Sequence, residues 1–272
     1  LIMRDSNPGT VTMSMGGVGR NIAHNLRLLG LDVTFITALG GDLYAKSVEE
    51  SCLELGFDMS LARRVPGRRT SSYLYITDSA GDMELGLSDT DVADTLNPEY
   101  LEKCLASINS ADAAVIDGNL TDESIAYIAE NCTAPLYADP VSVTKAERLR
   151  PILSRLAAFK PNEIEAMHLT GAQNAADAAR ALVDIGVSRA YVSMGANGIV
   201  AAEKYGMVRL PCSPSVLVNA TGAGDAAVAA IVWAGINGLS LEASARAAMK
   251  AGAIAIASPL TNSPELSAEK LI

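Results

Sequence analysis

The chain contains the stretch Asn219-Ala220-Thr221-Gly222-Ala223-Gly224-Asp225, which runs directly into the apolar segment Ala226–Ala234. The small residues at 222–224 would let the backbone come close to a ligand. Their N–H groups would lie at the start of a helix, where the helix dipole favours an anion. Asp225 would lie beside that anion, as a carboxylate that accepts a proton from an attacking hydroxyl. The alternative is a glycine-rich turn in which Asp225 only caps the helix.

A second glycine-rich stretch lies near the start of the chain and reads Gly16-Gly17-Val18-Gly19-Arg20-Asn21-Ile22-Ala23. It leads into a predicted helix over Asn21–Leu29, and the Asn21 amide is placed to point into a cleft. A dinucleotide fingerprint would need a preceding strand and an acidic residue about 20 positions further on. Because the glycine spacing differs from that fingerprint, we expect a turn that binds hydroxyl groups, with a simple helix-entry loop as the alternative.

Two further motifs follow predicted strands or open predicted helices. In Lys160-Pro161-Asn162-Glu163-Ile164-Glu165, the amide and the carboxylate at 162 and 165 are three residues apart and share a helix face. That pair suits a hydrated Mg²⁺ on a nucleotide, and it equally suits a capping box; both roles are compatible. In Ser193-Met194-Gly195-Ala196-Asn197-Gly198, small residues at a strand end would admit a nucleotide, or form a tight hairpin turn.

The predicted elements alternate between strand and helix, which indicates an α/β fold with a mostly parallel sheet and helices on both faces. Predicted strands are Val33–Leu39, Ala113–Ile116, Leu136–Ala138, Ala190–Ser193 and Ile199–Ala202; predicted helices are Tyr44–Leu55, Ser124–Glu130, Lys145–Leu156, Glu163–Leu169 and Ala175–Ile185. One region breaks the alternation: Arg68–Thr77 and Met83–Ser88 read as a β-hairpin around the connector Asp78–Asp82. With a strand-like piece at Thr10–Ser14, it would form a small β-sheet used as a lid or as a dimerisation surface.

The composition and charge of the chain disfavour several classes of function. The 272 residues carry a net charge of −10, which disfavours a nucleic-acid or anionic-membrane partner. The four cysteines include no CxxC pair, so a zinc cluster or disulfide framework is not expected, and reduced thiols favour a cytoplasmic location. No apolar run reaches the roughly 18 residues that a membrane span needs.

Together, the four motifs resemble those of the ribokinase-like (PfkB) carbohydrate kinases. The stretch from Gly16 to Gly40 is similar to the family's N-terminal signature, and Asn219–Ala230 to its C-terminal signature, except at Ala220, where the family usually has Pro, Ser, Thr or Val. The Asn162/Glu165 pair matches the family's Asn-x-x-Glu motif. The motifs follow one another in the family's order, and the resemblance covers essentially the whole chain.

The resemblance implies an ATP-dependent kinase with a Rossmann-like domain and a β-sheet lid. Asp225 would be the catalytic base, and Gly222, Ala223 and Gly224 the anion hole for the transferring phosphoryl group. The implied acceptor-binding residues are Gly16, Gly17 and Asn21, with Asn119 and Asp139 as further candidates; the implied ATP-binding residues are Asn162, Glu165, Ser193, Gly195, Gly198 and Thr221. Glu165 would hold Mg²⁺ through water. Many relatives have Asp near a monovalent cation where this chain has Asn219. The neutral amide weakens the case for K⁺, which is a further candidate ion at this position.

The resemblance also implies a division of the chain. Residues 15–63 and 91–272 would form the kinase core, and residues 1–14 and 64–90 the lid, through which we expect a homodimer. Family members usually begin with a strand that carries Gly-Gly-x-x-x-Asp, whose Asp binds the sugar. Nothing before Gly16 supplies that motif, so we expect this strand to be missing from the chain.

The acceptor is predicted from the glycine turn and two strand ends. Ribokinases carry Lys where this chain has Val18, which suggests an acceptor less polar than free ribose. The glycine turn, Asp117-Gly118-Asn119-Leu120 and Asp139-Pro140-Val141-Ser142 resemble the branch of the family that phosphorylates pseudouridine. We therefore expect transfer to the 5′-hydroxyl of a nucleoside, pseudouridine first, with ribose, adenosine and other sugars or nucleosides as alternatives. A catalytically silent sensing member of the fold is the non-enzyme alternative, which the presence of Asp225 disfavours.

Overall fold

The computed structural model describes residues 5–78, 83–212 and 217–272 of the chain. Part of the predicted Asp78–Asp82 connector, namely residues 79–82, lies outside the described residues. The strands are β1 Ala38–Leu39, β2 Arg63–Arg64, β3 Ser72–Thr77, β4 Met83–Asp89, β5 Ala114–Asp117, β6 Leu136–Asp139, β7 Leu156–Phe159, β8 Arg189–Ser193, β9 Ile199–Glu203 and β10 Gly206–Leu210. The α-helices are α1 Val18–Leu28, α2 Leu43–Glu54, α3 Pro98–Ser110, α4 Asp122–Asn131, α5 Val143–Leu149, α6 Glu163–Thr170, α7 Ala175–Ile185, α8 Ala223–Ile236, α9 Leu241–Ile256 and α10 Ala268–Leu271.

The central sheet has the strand order β10-β9-β8-β7-β6-β5. The four strands β5 to β8 are parallel to their neighbours, whereas β9 and β10 are added as an antiparallel edge. Helices connect the parallel strands, as a parallel crossover requires. The predicted α/β fold with a mostly parallel sheet is therefore confirmed.

Both faces of this sheet are buried, because successive side chains of a strand point to opposite faces. On β6, Leu136 and Ala138 join a core cluster that includes residues of α4, α6 and α7, whereas Tyr137 joins the cluster of α1, α8 and α9. On β8, Val192 joins the first of these clusters and Tyr191 joins the second. Helices thus cover both faces, which explains why the parallel strands are apolar except at their ends. None of the helices in the described part of the chain is long and apolar enough to cross a membrane.

The predicted β-hairpin is present as β3 and β4, which pair antiparallel in a sheet of their own. Cross-strand partners share a face of the hairpin. One face carries the aliphatic residues Leu74, Ile76, Leu85 and Leu87, all exposed. The other face carries Tyr73 and Tyr75, whose rings stack with centroids 5.8 Å apart. The hairpin therefore presents apolar side chains to solvent on both faces.

Three predicted elements differ from the structure. The strand at Thr10–Ser14 is wrong: these residues are exposed and irregular, and no strand beside them in the described part of the chain completes a ladder. The strand at Val33–Leu39 is reduced to β1 and a single bridge at Thr34, because its partner β2 has only two residues.

The helix predicted over Lys145–Leu156 ends at Leu149 and continues as a 3₁₀ segment, since Pro151 cannot extend an α-helix. Leu156, the last residue of that prediction, instead starts β7. The elements β2, α3, β7, β10, α9 and α10 were not predicted.

Candidate active site

Polar and charged side chains gather at one edge of the central sheet, where parallel strands end. Asp117 ends β5 and Asp139 ends β6, and the two are register partners. Lys160 directly follows β7, and Ser193 ends β8. The carboxyl ends of parallel strands are where ligands bind in open α/β sheets. This edge is therefore the candidate active site.

The two glycine-rich motifs meet at this edge through Asn21 and Asp225. The Asn21 Nδ2 atom donates to Asp225 Oδ2 at 2.8 Å, although the two residues are 204 positions apart. Asn21 is buried on α1, and its Oδ1 atom has no hydrogen-bond partner among the described residues. A buried acceptor without a partner is costly unless a ligand donates to it. The pair thus places a carboxylate and an unused amide oxygen side by side.

Burial and neighbouring charge act on the Asp225 carboxyl. Loss of water by burial raises its pKa to about 7, and the charges of Asp139 and Asp117 push it in the same direction. The Asn21 hydrogen bond and the Lys160 charge act in the opposite direction and lower the pKa. A carboxylate with a pKa near neutrality suits a group that must take up a proton during turnover.

The N-terminus of α8 is the candidate anion-binding cradle. Gly222 is its N-cap, with φ 88° and no side-chain cap, so the first N–H groups of the helix are not capped by a side chain. A Cβ on Gly222 would lie 2.1 Å from the Thr261 carbonyl oxygen, so only glycine fits. A Cβ on Gly224 would lie 3.6 Å from Lys160 Nζ, which brings a cation to the same place. Backbone N–H groups and a lysine together fit a phosphate group.

Lys160 is a site residue that was not predicted. It is buried, and its Nζ atom lies 3.8 Å from Asp139 Oδ2. A lysine is rarely buried without an opposite charge. Its position directly after a strand, at the start of the Asn162/Glu165 motif, was the signal that could have identified it. Asp139 in turn accepts the Val141 N–H at 2.8 Å, and Val141 is held at φ 67°, a strained backbone for a β-branched residue.

Asn162 and Glu165 form the predicted capping box at the start of α6. Asn162 Oδ1 accepts the Glu165 N–H at 2.9 Å, and Glu165 Oε2 accepts the Asn162 N–H at 2.8 Å. Burial raises the pKa of the Glu165 carboxyl. No group of three or more metal-binding side chains that could hold an ion occurs among the described residues. The Asn162 amide and the Glu165 carboxylate fit a Mg²⁺ ion that keeps several of its waters and is held by one carboxylate and by phosphates.

The predicted ATP-binding residues on β8 lie next to that capping box. Ser193 and Asn162 form a parallel bridge, and the Ser193 N–H donates to the Pro161 carbonyl oxygen at 3.1 Å. Gly195 and Gly198 have φ values of 55° and 94° in the turn between β8 and β9. A Cβ on Gly198 would lie 2.0 Å from the Leu210 carbonyl oxygen, so the tight hairpin turn itself requires this glycine.

The other predicted site residues are Asn219, Asn119, Gly17 and Gly16. Asn219 Oδ1 accepts the Thr221 N–H at 2.9 Å and Asn219 Nδ2 donates to Pro259 O at 3.3 Å, so the amide is engaged within the protein. Asn119 Oδ1 accepts Lys145 Nζ at 2.5 Å, which turns the amide toward α5. Gly17 is the N-cap of α1, with φ 98°, and Gly16 precedes it in an exposed turn.

A glycine-bounded helix N-terminus, a carboxylate and a buried lysine lie together at the ligand edge of this α/β sheet. Such a set of groups fits a phosphotransferase that acts on an alcohol group. Residues 3–268 match the pfkB family of carbohydrate kinases. The chain is 34% identical over 276 residues to the pseudouridine kinase of Escherichia coli strain K12, an alignment that covers 98% of this chain and 88% of that protein. The chain belongs to the pfkB family.

Solved structures support the same fold. A carbohydrate kinase from Agrobacterium tumefaciens superposes with a TM-score of 0.85 at 28% identity, over 100% of this chain and 89% of that one. The ribokinase of Arabidopsis thaliana, solved with ribose and ATP, superposes with a TM-score of 0.81 at 21% identity, over 94% of this chain and 86% of that one. The ribokinase-like fold is therefore established, with a small antiparallel sheet beside the main one.

Proposed function

We propose that this kinase transfers a phosphoryl group from ATP to the 5′-hydroxymethyl group of a nucleoside, with pseudouridine as the first candidate. The observation that carries the proposal is the Asn21–Asp225 pair at the N-terminus of α8. Its acceptor is suggested by the 34% identity to a pseudouridine kinase and by the glycine turn that contains Val18.

In this proposal each group of the chain has one task. Asp225 takes the proton of the acceptor hydroxyl, and its pKa of about 7 leaves a large ionised fraction at neutral pH. Asn21 orients that carboxylate and receives an acceptor hydroxyl on its Oδ1 atom. The N–H groups at 222–224 and Lys160 stabilise the negative charge of the transferring group. Glu165 and Asn162 would hold Mg²⁺ through water, and the ion would neutralise phosphate charge. Binding of K⁺ stays a prediction.

The role of Asp225 is tested with Asp225→Asn. A positioned general base contributes about 10²–10⁴-fold, so we expect turnover to fall by that factor while the dissociation constant for ATP, measured by calorimetry, changes little. Turnover above about a tenth of the wild-type value would show that Asp225 is not the base.

The acceptor is tested by an ATP-consumption screen. The protein is assayed with pseudouridine, uridine, adenosine, inosine, ribose and fructose at matched concentrations. We expect the highest kcat/KM for pseudouridine. A higher value for ribose or adenosine would refute the assigned acceptor and leave the kinase intact, whereas no turnover with any of them would favour the catalytically silent alternative.

We further propose that the β3–β4 hairpin closes over the acceptor as a lid and also joins two copies of the chain. The hairpin has two exposed apolar faces, and one can cover a ligand while the other packs on a partner. The division into a core of residues 15–63 and 91–272 and a lid of residues 1–14 and 64–90 stays a prediction. The buried thiols of Cys52, Cys104 and Cys132 agree with a cytoplasmic location.

A further inference from the structure

The N-terminus of α1 lacks a capping side chain of its own. Its N-cap is Gly17, which provides no side-chain acceptor, and no acidic residue lies in the first turn. The first N–H groups of a helix need partners from outside the helix. This end of α1 also belongs to the glycine turn that we assign to acceptor binding, so the way in which it is held matters for the reaction.

Asp117 supplies that missing cap from a distant part of the chain. Its Oδ2 atom accepts the Gly19 N–H at 3.1 Å, across 98 residues of sequence, and its Oδ1 atom accepts the Asn119 N–H at 2.8 Å. A carboxylate at a helix N-terminus gains both a charge-assisted hydrogen bond and a favourable interaction with the helix dipole. Gly19 is close-fitting here, since a Cβ on it would lie 3.3 Å from Asp117 Oδ2.

The strand end that carries Asp117 is itself firmly held. The Gly118 N–H donates to the Asp139 carbonyl oxygen at 3.0 Å, and a Cβ on Gly118 would lie 2.6 Å from the Pro140 carbonyl oxygen. Arg148 donates to the carbonyl oxygens of Gly118 and Leu120 at 3.3 and 3.1 Å. These contacts come from the end of β6, from the loop after it and from α5. The position of Asp117 is therefore held without any contribution from α1.

We propose that Asp117 is a positioning residue that sets the place of the acceptor-binding turn relative to Asp225. Its carboxylate holds Gly19, and the same first turns of α1 carry Asn21, whose amide reaches Asp225. Asp117 therefore acts through α1 on the acceptor side, where its charge also raises the pKa of Asp225. Its hydrogen bonds, to Gly19 and Asn119, do not reach the ATP side, which is built on α6 and β8. The inference rests on the proposed acceptor site.

The test compares Asp117→Ala, Asp117→Asn and the control Asp112→Asn, whose side chain is exposed in the loop before β5. Loss of a charge-assisted hydrogen bond corresponds to about a 10- to 100-fold effect, so we expect Asp117→Ala to raise the KM for the acceptor at least about tenfold. The KM for ATP should change by less than about twofold. Asp117→Asn keeps an acceptor oxygen and should restore part of the loss, and Asp112→Asn should match the wild type.

A second measurement does not depend on activity. Amide hydrogen exchange of the peptide spanning residues 15–22 should be faster in ligand-free Asp117→Ala than in the wild type, with α9 unchanged. Equal rises in both KM values, or an unchanged acceptor KM, would overturn the proposal, as would unchanged exchange at the start of α1. If the wild type used none of the acceptors in the screen, the proposed acceptor would fail, and the exchange experiment would still decide whether Asp117 holds α1.

Discussion

Asp225, the residue that we propose as the general base, is buried at a cost in stability. Its folded-state pKa of about 7 lies above the ordinary value of 3.8, mainly because burial disfavours the charged form. Between these two values the folded chain keeps a proton that the unfolded chain releases. Stability is therefore lost as the pH rises from about 4 to about 7, and above pH 7 the full penalty remains.

We predict that Asp225→Asn is more stable than the wild type at pH 8. The neutral amide keeps the shape and removes the buried charge, so a gain of about 2–4 kcal/mol is expected in urea unfolding. The gain should shrink as the pH is lowered toward 4, where the wild-type carboxyl is protonated in both states. Asp112→Asn, at a side chain exposed in the loop before β5, serves as the control. A gain that is the same at pH 8 and at pH 4 would contradict the pKa assigned to Asp225.

Helix α8 links the anion cradle to the core. Its residues from Ala226 to Ala234 are all buried, so the helix cannot shift without disturbing both the sheet and α9. A glycine with a positive φ lies at each end of α8, but the atoms around the two glycines differ. Gly222 has φ 88° and faces the Thr261 backbone, whereas Gly238 has φ 66° and open space around it. The helix is therefore a rigid mount for the N–H groups of the cradle.

We predict that Gly222→Ala impairs turnover far more than Gly238→Ala does. Both substitutions carry the left-handed backbone cost of about 1–2 kcal/mol, but only the first forces the Thr261 backbone to move. Gly222→Ala should lose more than about tenfold in kcat, because displaced donors lose electrostatic stabilisation of the transferring group. Steady-state kinetics and thermal unfolding of the two variants give the comparison. Similar kinetics would separate the cradle from catalysis.

The hairpin is tied to the core at its base. Asp42, the N-cap of α2, accepts the Thr70 N–H at 2.8 Å and the Thr70 hydroxyl at 2.7 Å. The Gly41 N–H donates to the Arg68 carbonyl oxygen at 3.0 Å. The strands beyond these contacts are exposed on both faces, so a closing motion would pivot about this base.

We predict that amide exchange across Arg68–Thr77 and Met83–Ser88 slows when the acceptor and a non-hydrolysable ATP analogue bind together. Closure would exclude water from the reacting groups and shield the hairpin N–H groups. Exchange in α9 is the internal reference and should stay constant. Unchanged exchange in the hairpin with both ligands bound would argue against a lid and favour a fixed dimer surface.

The whole molecule combines a net charge of −10 with a site for anionic ligands. The groups that can bind an anion there are local, namely the helix N-terminal N–H groups and Lys160. A second feature at this scale is the exposed aliphatic face of the hairpin, where Leu74 pairs with Leu87 and Ile76 with Leu85. A two-stranded sheet with such a face is marginal alone in water and gains stability from a partner surface.

We predict that the chain is a homodimer and that Leu87→Lys makes it monomeric. The charge would be buried against the partner's aliphatic face at a cost of several kcal/mol, which exceeds what a small interface can offset. Sedimentation velocity across a concentration series measures the change. Tyr205→Lys, at a side chain that is 90% exposed on the β9–β10 turn, should stay dimeric. A monomeric wild type at all concentrations would refute the dimer.

Local patterns predicted several features that depend on neighbours in the sequence. The capping box follows from residues three apart, the buried α8 from an unbroken apolar run, and the α/β class from alternating elements. The hairpin was also predictable, since its two strands are joined by a short connector. The strand predicted at Thr10–Ser14 was wrong because strand propensity alone does not provide a pairing partner. The helix predicted over Lys145–Leu156 ends early because Pro151 cannot extend an α-helix.

The site itself needed the tertiary structure. Asn21 meets Asp225 across 204 residues, and Gly19 meets Asp117 across 98. Such contacts depend on the order in which the strands join the sheet, because that order decides which carboxyl ends share an edge. The raised pKa of Asp225 has the same origin, since burial and the charges of Asp117 and Asp139 exist only once the sheet is assembled. The sequence by itself determined which chemical groups are present, and the packing of the sheet against α1 and α8 decided which of them act together.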